Sequence, residues 1–181
     1  MRLFVGLELA WTLRERLSLL AGGIPGARWV PADNYHLTLR FIGEVPSHRA
    51  EEVHHALGAL RAPSFELSLA GVGTFKKGGR ETALWVGVER TPHLDRLQTK
   101  VETALQRAGL EPERRRFAPH VTLARLDNAS ESKLVAFVQS NNLFRSEPMP
   151  VEHFTLFSSR LGKEAPVYTA EVEYTLGERD F

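Results

Sequence analysis

Seven histidines are spread over 181 residues, and three of them open one pattern, His-x-Thr-x: His36-Leu37-Thr38-Leu39, His120-Val121-Thr122-Leu123 and His153-Phe154-Thr155-Leu156. Imidazole titrates near neutrality, so it can give or take a proton at physiological pH. A pair of imidazoles can do both in one turnover: one takes a proton from water while the other gives a proton to a leaving oxygen. Splitting a phosphodiester without a metal requires that combination. A hydroxyl beside each ring can hold a non-bridging phosphoryl oxygen as charge develops. Zinc asks for three or four ligands. The chain has no cysteine and no HExxH, and the neighbours His54 and His55 leave their helix in different directions. No metal site and no cofactor are expected.

Context separates the three motifs. Strand alternation puts His36 and Thr38 on one face, and His120 and Thr122 likewise, while Leu37, Leu39, Val121 and Leu123 face a core. These two motifs stand at matching places in the two halves of the chain, and each is followed by a helix. His153 does not share this. Stepping back from it by the interval that separates His120 from His36 lands on Leu69, an apolar strand residue. His153 is read as a strand histidine beside the site or in the sheet. His36 and His120 are therefore the expected acid–base pair, with Thr38 and Thr122 as phosphoryl ligands. The near-symmetry of the motifs leaves open which histidine is the acid.

The elements that must position these residues come in a repeated order. An apolar strand, Leu3–Glu8, precedes a helix with Leu13, Leu17 and Leu20 on one stripe, stopped at Gly22-Gly23. An extended run Tyr35–Gly43, a helix near Ser47–Arg61 and two strands, Phe65–Phe75 and Thr82–Glu89, follow. Thr91-Pro92 opens the next helix as cap and first residue, with the stripe Leu94, Leu97, Val101 and Leu105. A second extended run His120–Leu126, a helix near Ser130–Gln139 and the strands Val151–Leu161 and Val167–Leu176 complete the order. Each half thus reads strand, helix, strand, helix, strand, strand. That order predicts an α+β fold in one domain spanning residues 1–181: two pseudo-symmetric lobes whose antiparallel sheets face a central cleft, with helices outside. A cleft between lobes is where a ligand is expected.

Composition narrows the function classes. A net charge of +1 does not hold a polyanion by field alone. Arginine nevertheless supplies 18 of the 23 basic residues, and arginine is the better planar donor to phosphate oxygens. Local basic spots occur at Lys76-Lys77-Gly78-Gly79-Arg80 and Arg114-Arg115-Arg116. They are read as solvated faces. No apolar run is long enough for a membrane helix, and the opening MRLFVGLEL, with Glu8 inside it, reads as a strand and not as a signal peptide. The absence of cysteine fits a cytoplasmic protein.

The segments YHLTLRFIGEV (35–45) and APHVTLAR (118–125) resemble the paired motifs of the two-histidine phosphoesterase superfamily, and within it the RNA 2′,3′-cyclic phosphodiesterases historically called 2′-5′ RNA ligases. Support extends over RLFVGLEL (2–9), ALWVGVE (83–89) and FTLFSSRLGKEAPVYTA (154–170). The resemblance implies that His36 protonates a departing 3′ oxygen and His120 activates water, leaving a 2′-phosphomonoester. It implies that Arg125, five residues after His120, contacts phosphate; alternation alone would put it on the wrong face, so a bulge or strand end must turn it. Arg40 is the reverse case, placed on the His36 face by alternation. Tyr168 and Phe75 are candidates to stack on a base, while Trp29 and Trp85 read as core. The expected partner is RNA ending in a 2′,3′-cyclic phosphate, or a small cyclic nucleotide, handled by a monomer. The alternatives are ligation of such an end to a 5′-hydroxyl, and a non-catalytic RNA-end or nucleotide binder.

Overall fold

The computed structural model describes residues 1–177. Strand β1 (Arg2–Glu8) leads through helix α1 (Trp11–Ser18), a short strand β2 (Ala27–Trp29) and a 3-10 turn (Ala32–Asn34) to the first motif strand, β3 (His36–Glu44). Helix α2 (Ser47–Gly58), strands β4 (Phe65–Leu67), β5 (Leu69–Lys77) and β6 (Arg80–Val88) and helix α3 (Pro92–Arg107) come next. The second motif strand, β7 (His120–Leu126), is followed by α4 (Glu131–Asn141), β8 (Met149–Val151), β9 (His153–Arg160) and β10 (Val167–Thr175). The α+β character is as expected.

Local chemistry sets the elements. Thr91 caps α3 by accepting the Leu94 N–H at 3.2 Å, and Pro92 occupies the first turn, where its missing N–H costs nothing. The α3 stripe Leu94, Leu97, Val101 and Leu105 is at most 1% exposed. Burial of each such side chain contributes about 1.5–3 kcal/mol. The core faces of the motif strands, Leu37 and Leu39, Val121 and Leu123, join the same apolar core from the sheet side and are buried.

Two long strands expected from sequence are each broken in two. Ser68 separates β4 from β5, and Glu152, at the matching place in the second half, separates β8 from β9. The detached pieces pair with each other, Phe65 opposite Val151 and Leu67 opposite Met149, as a separate two-stranded ribbon. The interval between the two motifs is also the interval between the two breaks, so the repeat governs both.

The lobes are not the two sequence halves. One antiparallel sheet has the order β10-β9-β1-β3 and the other β2-β7-β6-β5. The late hairpin β9–β10 returns to pair with β1, while β5 and β6 of the first half join β7 of the second. Each motif strand thus sits beside a strand of matching text, β1 (FVGL) next to β3 and β6 (WVGV) next to β7. The exchange ties the lobes together and brings β3 against β7 at the seam between the sheets.

Candidate active site

The two motif strands carry the same irregularity at the same place. In β3, Thr38 lies opposite Gly6 and Arg40 opposite Val5, so Leu39 has no partner. In β7, Thr122 lies opposite Trp85 and Ala124 opposite Leu84, so Leu123 has no partner. Each is a β-bulge at the third residue after the histidine, and a one-residue bulge reverses the facing of everything beyond it. His36 and Thr38, and His120 and Thr122, keep the cleft face. The fourth residue after each histidine, Arg40 or Ala124, then turns into the core, and the fifth, Phe41 or Arg125, turns to the cleft.

This corrects the expectation for Arg40. Its side chain is 7% exposed and lies under the sheet, where Nε donates to Glu102 Oε2 of α3 at 2.6 Å and the other nitrogens donate to the Phe41 and Glu111 carbonyls. Simple alternation fails because it counts through Leu39. The same bulge geometry delivers Arg125 to the cleft, where its charge disfavours protonation of both His36 and His120. It also reveals Phe41, which sequence reasoning missed: a phenyl ring 57% exposed on the cleft face, matching Arg125 in the repeat.

Each imidazole is held in the same way. His36 Nδ1 donates to the Asn34 carbonyl at 2.8 Å, and His120 Nδ1 donates to the Ala118 carbonyl at 2.7 Å. A carbonyl only accepts, so both rings carry hydrogen on Nδ1 and turn Nε2 to the cleft. Tyr168 of β10 meets the His36 ring edge-on at 5.3 Å and 86°, and Phe75 of β5 meets the His120 ring at 4.7 Å and 85°. The two aromatics expected from sequence to stack on a base thus form matched buttresses. Phe4 lies 4.8 Å from the His36 ring. At Gly6 a Cβ would stand 2.9 Å from the Leu37 carbonyl oxygen and 3.6 Å from His36 Cδ2, so the strand beside the first imidazole tolerates only hydrogen.

Trp85, read as core from sequence, lies instead on the floor of the cleft beside Thr122 and 5.5 Å from Phe75. Gly73 opposite makes room for its indole: a Cβ there would approach the ring to 2.5 Å. Trp29 does face inward, against Phe137 of α4 at 5.7 Å.

The two sites differ at Nε2. Thr38 Oγ1 lies 2.8 Å from His36 Nε2, whereas His120 Nε2 has no hydrogen-bond partner among the described residues. Burial lowers the pKa of both rings, and repulsion from the second imidazole lowers that of His36 further, although the Asn34 carbonyl opposes the shift. Burial raises the pKa of the Tyr168 hydroxyl against the opposing pull of Arg125.

His153 opens β9, two strands from the His36 strand, with Nε2 3.9 Å from Glu173. Together with Glu8 these form the one group of three potential metal ligands among the described residues, all within 4.8 Å of one another. Glu8 already faces the Arg14 guanidinium at 4.0 Å. A cavity of about 210 Å³ next to His36 is lined by Glu8, Arg14, Asn34, Phe157 and Tyr168 among others. Among the described residues no helix is long and apolar enough to cross a membrane.

The chain is similar over its length to known proteins. It is 35% identical to an RNA 2′,3′-cyclic phosphodiesterase of Aeropyrum pernix, over 86% of this chain and 89% of that one. A crystal structure of a Thermus thermophilus protein superposes with a TM-score of 0.82 at 27% identity, covering 99% of this chain and 100% of that one. Escherichia coli LigT complexed with 3′-AMP gives a TM-score of 0.79 at 28% identity, covering 97% of each chain. The model of the 2′-5′ RNA ligase superfamily matches residues 15–163, which takes in both motifs, and the chain belongs to that family.

Proposed function

We propose that this chain hydrolyses 2′,3′-cyclic phosphate ends of RNA, or the corresponding cyclic nucleotides, to 2′-phosphomonoesters, using His36 and His120 and no metal. The observation that carries this reading is the matched pair of imidazoles. Both Nδ1 atoms are locked to carbonyls, and both Nε2 atoms face one cleft beside a threonine hydroxyl.

Among the described residues His120 Nε2 has no hydrogen-bond partner, and burial and Arg125 lower the pKa of its ring, which suits a general base that takes a proton from water. As the water oxygen bonds to phosphorus, the bond from phosphorus to the 3′ oxygen breaks, and His36 Nε2–H gives its proton to that departing oxygen. The 2′ ester bond is retained. The Thr38 and Thr122 hydroxyls hold non-bridging oxygens, and Arg125 offsets the growing negative charge. A bound phosphate anion also favours protonation of His36, which compensates for the depression its burial causes. Phe41 offers an open ring face to the nucleobase.

The deciding experiment incubates the protein with adenosine 2′,3′-cyclic phosphate in EDTA and follows phosphorus NMR. The expected product is adenosine 2′-phosphate, formed at the same rate with and without chelator. Formation of the 3′-phosphate would reverse the bond assignment. Loss of turnover in EDTA, restored by one metal, would overturn the metal-free mechanism.

A further inference from the structure

The proposed reaction uses one cleft arginine, but the second sheet presents two. Arg28, in the edge strand β2, lies directly opposite Arg125 in β7. Directly paired residues of antiparallel strands project from the same face, with Cα atoms about 4.5–5.5 Å apart. The facing is independently fixed: the next residue, Trp29, packs against Phe137 of α4 on the helical side, so Arg28 projects to the cleft side. Both guanidinium groups are exposed, and among the described residues neither has an ion-pair or hydrogen-bond partner.

Like charges directly opposite each other weaken a sheet. No acidic side chain among the described residues offsets the pair, and bound anions would relieve it. Arg125 is within electrostatic reach of both imidazoles and so belongs to the reacting phosphate. Arg28 lies one strand further out, on the edge strand beside β7. It is left for an anion near the reacting group but separate from it. The positive character continues at the β5–β6 hairpin. There Lys77 and Arg80 are opposite each other without an acidic partner among the described residues, whereas Lys76 is neutralised by Glu81 at 3.4 Å.

A terminal nucleotide in RNA carries one further anion of this kind, the phosphate on its own 5′ oxygen. We propose that Arg28 binds the 5′-phosphate of the nucleoside that bears the cyclic phosphate, and so makes the enzyme favour a strand end over a free nucleoside cyclic phosphate. The proposal rests on the cyclic-phosphodiesterase reading, and binding measurements keep the two separable.

Wild type and Arg28→Ala would be titrated with adenosine 2′-monophosphate and adenosine 2′,5′-bisphosphate, and assayed on adenosine 2′,3′-cyclic phosphate with and without a 5′-phosphate. Arg28→Ala is expected to weaken the bisphosphate about tenfold, the worth of one charge-assisted contact, and to leave the 2′-monophosphate within about twofold. The kcat/KM preference for the 5′-phosphorylated substrate should fall by the same factor. Arg28→Lys should recover part of the loss, since it keeps the charge but not the planar fork. Lys133→Ala, which removes an exposed cation from α4, should change neither ligand. Equal loss for both ligands, or no loss for either, would overturn the assignment. Absence of turnover in wild type would sink the function reading alone, because the two affinities still decide what Arg28 holds.

Discussion

Arg40 offers the sharpest test of the bulge, because alternation and the structure assign it opposite roles. If Arg40 faced the cleft, its removal would cripple turnover and leave stability nearly unchanged. In the structure it is 7% exposed and its partner Glu102 is 16% exposed, with Nε to Oε2 at 2.6 Å. Glu102 is itself held in place by the Glu113 N–H and by Gln106 Nε2, both at 2.9 Å. Arg40→Ala strands this carboxylate and leaves the Phe41 and Glu111 carbonyls without their donors. Breaking a buried pair from one side costs about 3–5 kcal/mol. For a chain of this size that lowers Tm by about 6–20 °C. Arg40→Leu combined with Glu102→Leu should recover part of the loss, since no charge is then left buried. The pH dependence follows from Glu102. Burial pushes its carboxyl up, but Arg40 and the two other donors outweigh this, and the pKa ends below its ordinary value. A depressed folded pKa gives stability that is present above the unfolded carboxylate value and is lost as pH falls through the folded one. The Tm gap between wild type and Arg40→Ala should therefore be full at pH 7 and shrink below about pH 4. The assay is calorimetric melting at several pH values, with turnover measured well below Tm. The reasoning is refuted if Arg40→Ala keeps its Tm while kcat falls about a hundredfold, the loss expected of a group acting on the substrate.

Two further outcomes are expected at the imidazoles. His36→Ala and His120→Ala should each lower kcat by about 10²–10⁴, with the double mutant losing less than the product because the pair acts as a unit; His153→Ala, two strands from His36 and with Nε2 3.9 Å from Glu173, should stay within about tenfold by the same steady-state assay, since it removes no member of the acid–base pair. The pH profile of kcat/KM should be bell-shaped with its maximum on the acid side of about 6.5, because burial depresses both rings, and the kcat profile should lie to its alkaline side because bound phosphate favours the protonated acid; a kcat/KM maximum above about pH 7.5 would contradict this.

Much of the architecture was legible because it rests on local patterns. The α3 stripe, its Thr91-Pro92 opening and the two His-x-Thr strands follow from periodicity and capping, and all appear as expected. Strand partnership was less accessible. Nothing in FVGLE or in the text of β9 says that a hairpin from the far end of the chain returns to β1. Pairing is decided by which edges remain once helices cover the other faces. For the same reason Arg28 gave no signal, since a three-residue edge strand has no period to read.

The facing of Arg40 and Arg125 was within reach of the sequence, but only by comparing the motifs with each other. Read separately, HLTLRFIG invites an unbroken alternation that sends Arg40 to the cleft and Phe41 to the core. Laid against HVTLARL, the fourth position after the histidine holds arginine in one strand and alanine in the other, while the fifth holds phenylalanine and arginine. Alternation through β7 would send the methyl group of Ala124 to the cleft and bury the charge of Arg125, a costly arrangement. A bulge at the third position removes that cost in β7 and, by the symmetry of the repeat, demands one in β3. There the burial it forces on Arg40 is met by Glu102 of α3. The first lobe thus accepts a buried ion pair where the second needs only a methyl group. In exchange each lobe turns a different fifth residue to the cleft, an open aromatic face on one side and a cation on the other. On the proposed reading a nucleotide, with a base at one end and phosphate at the other, would meet Phe41 on one side and Arg125 on the other, while the two histidines stay matched between the lobes.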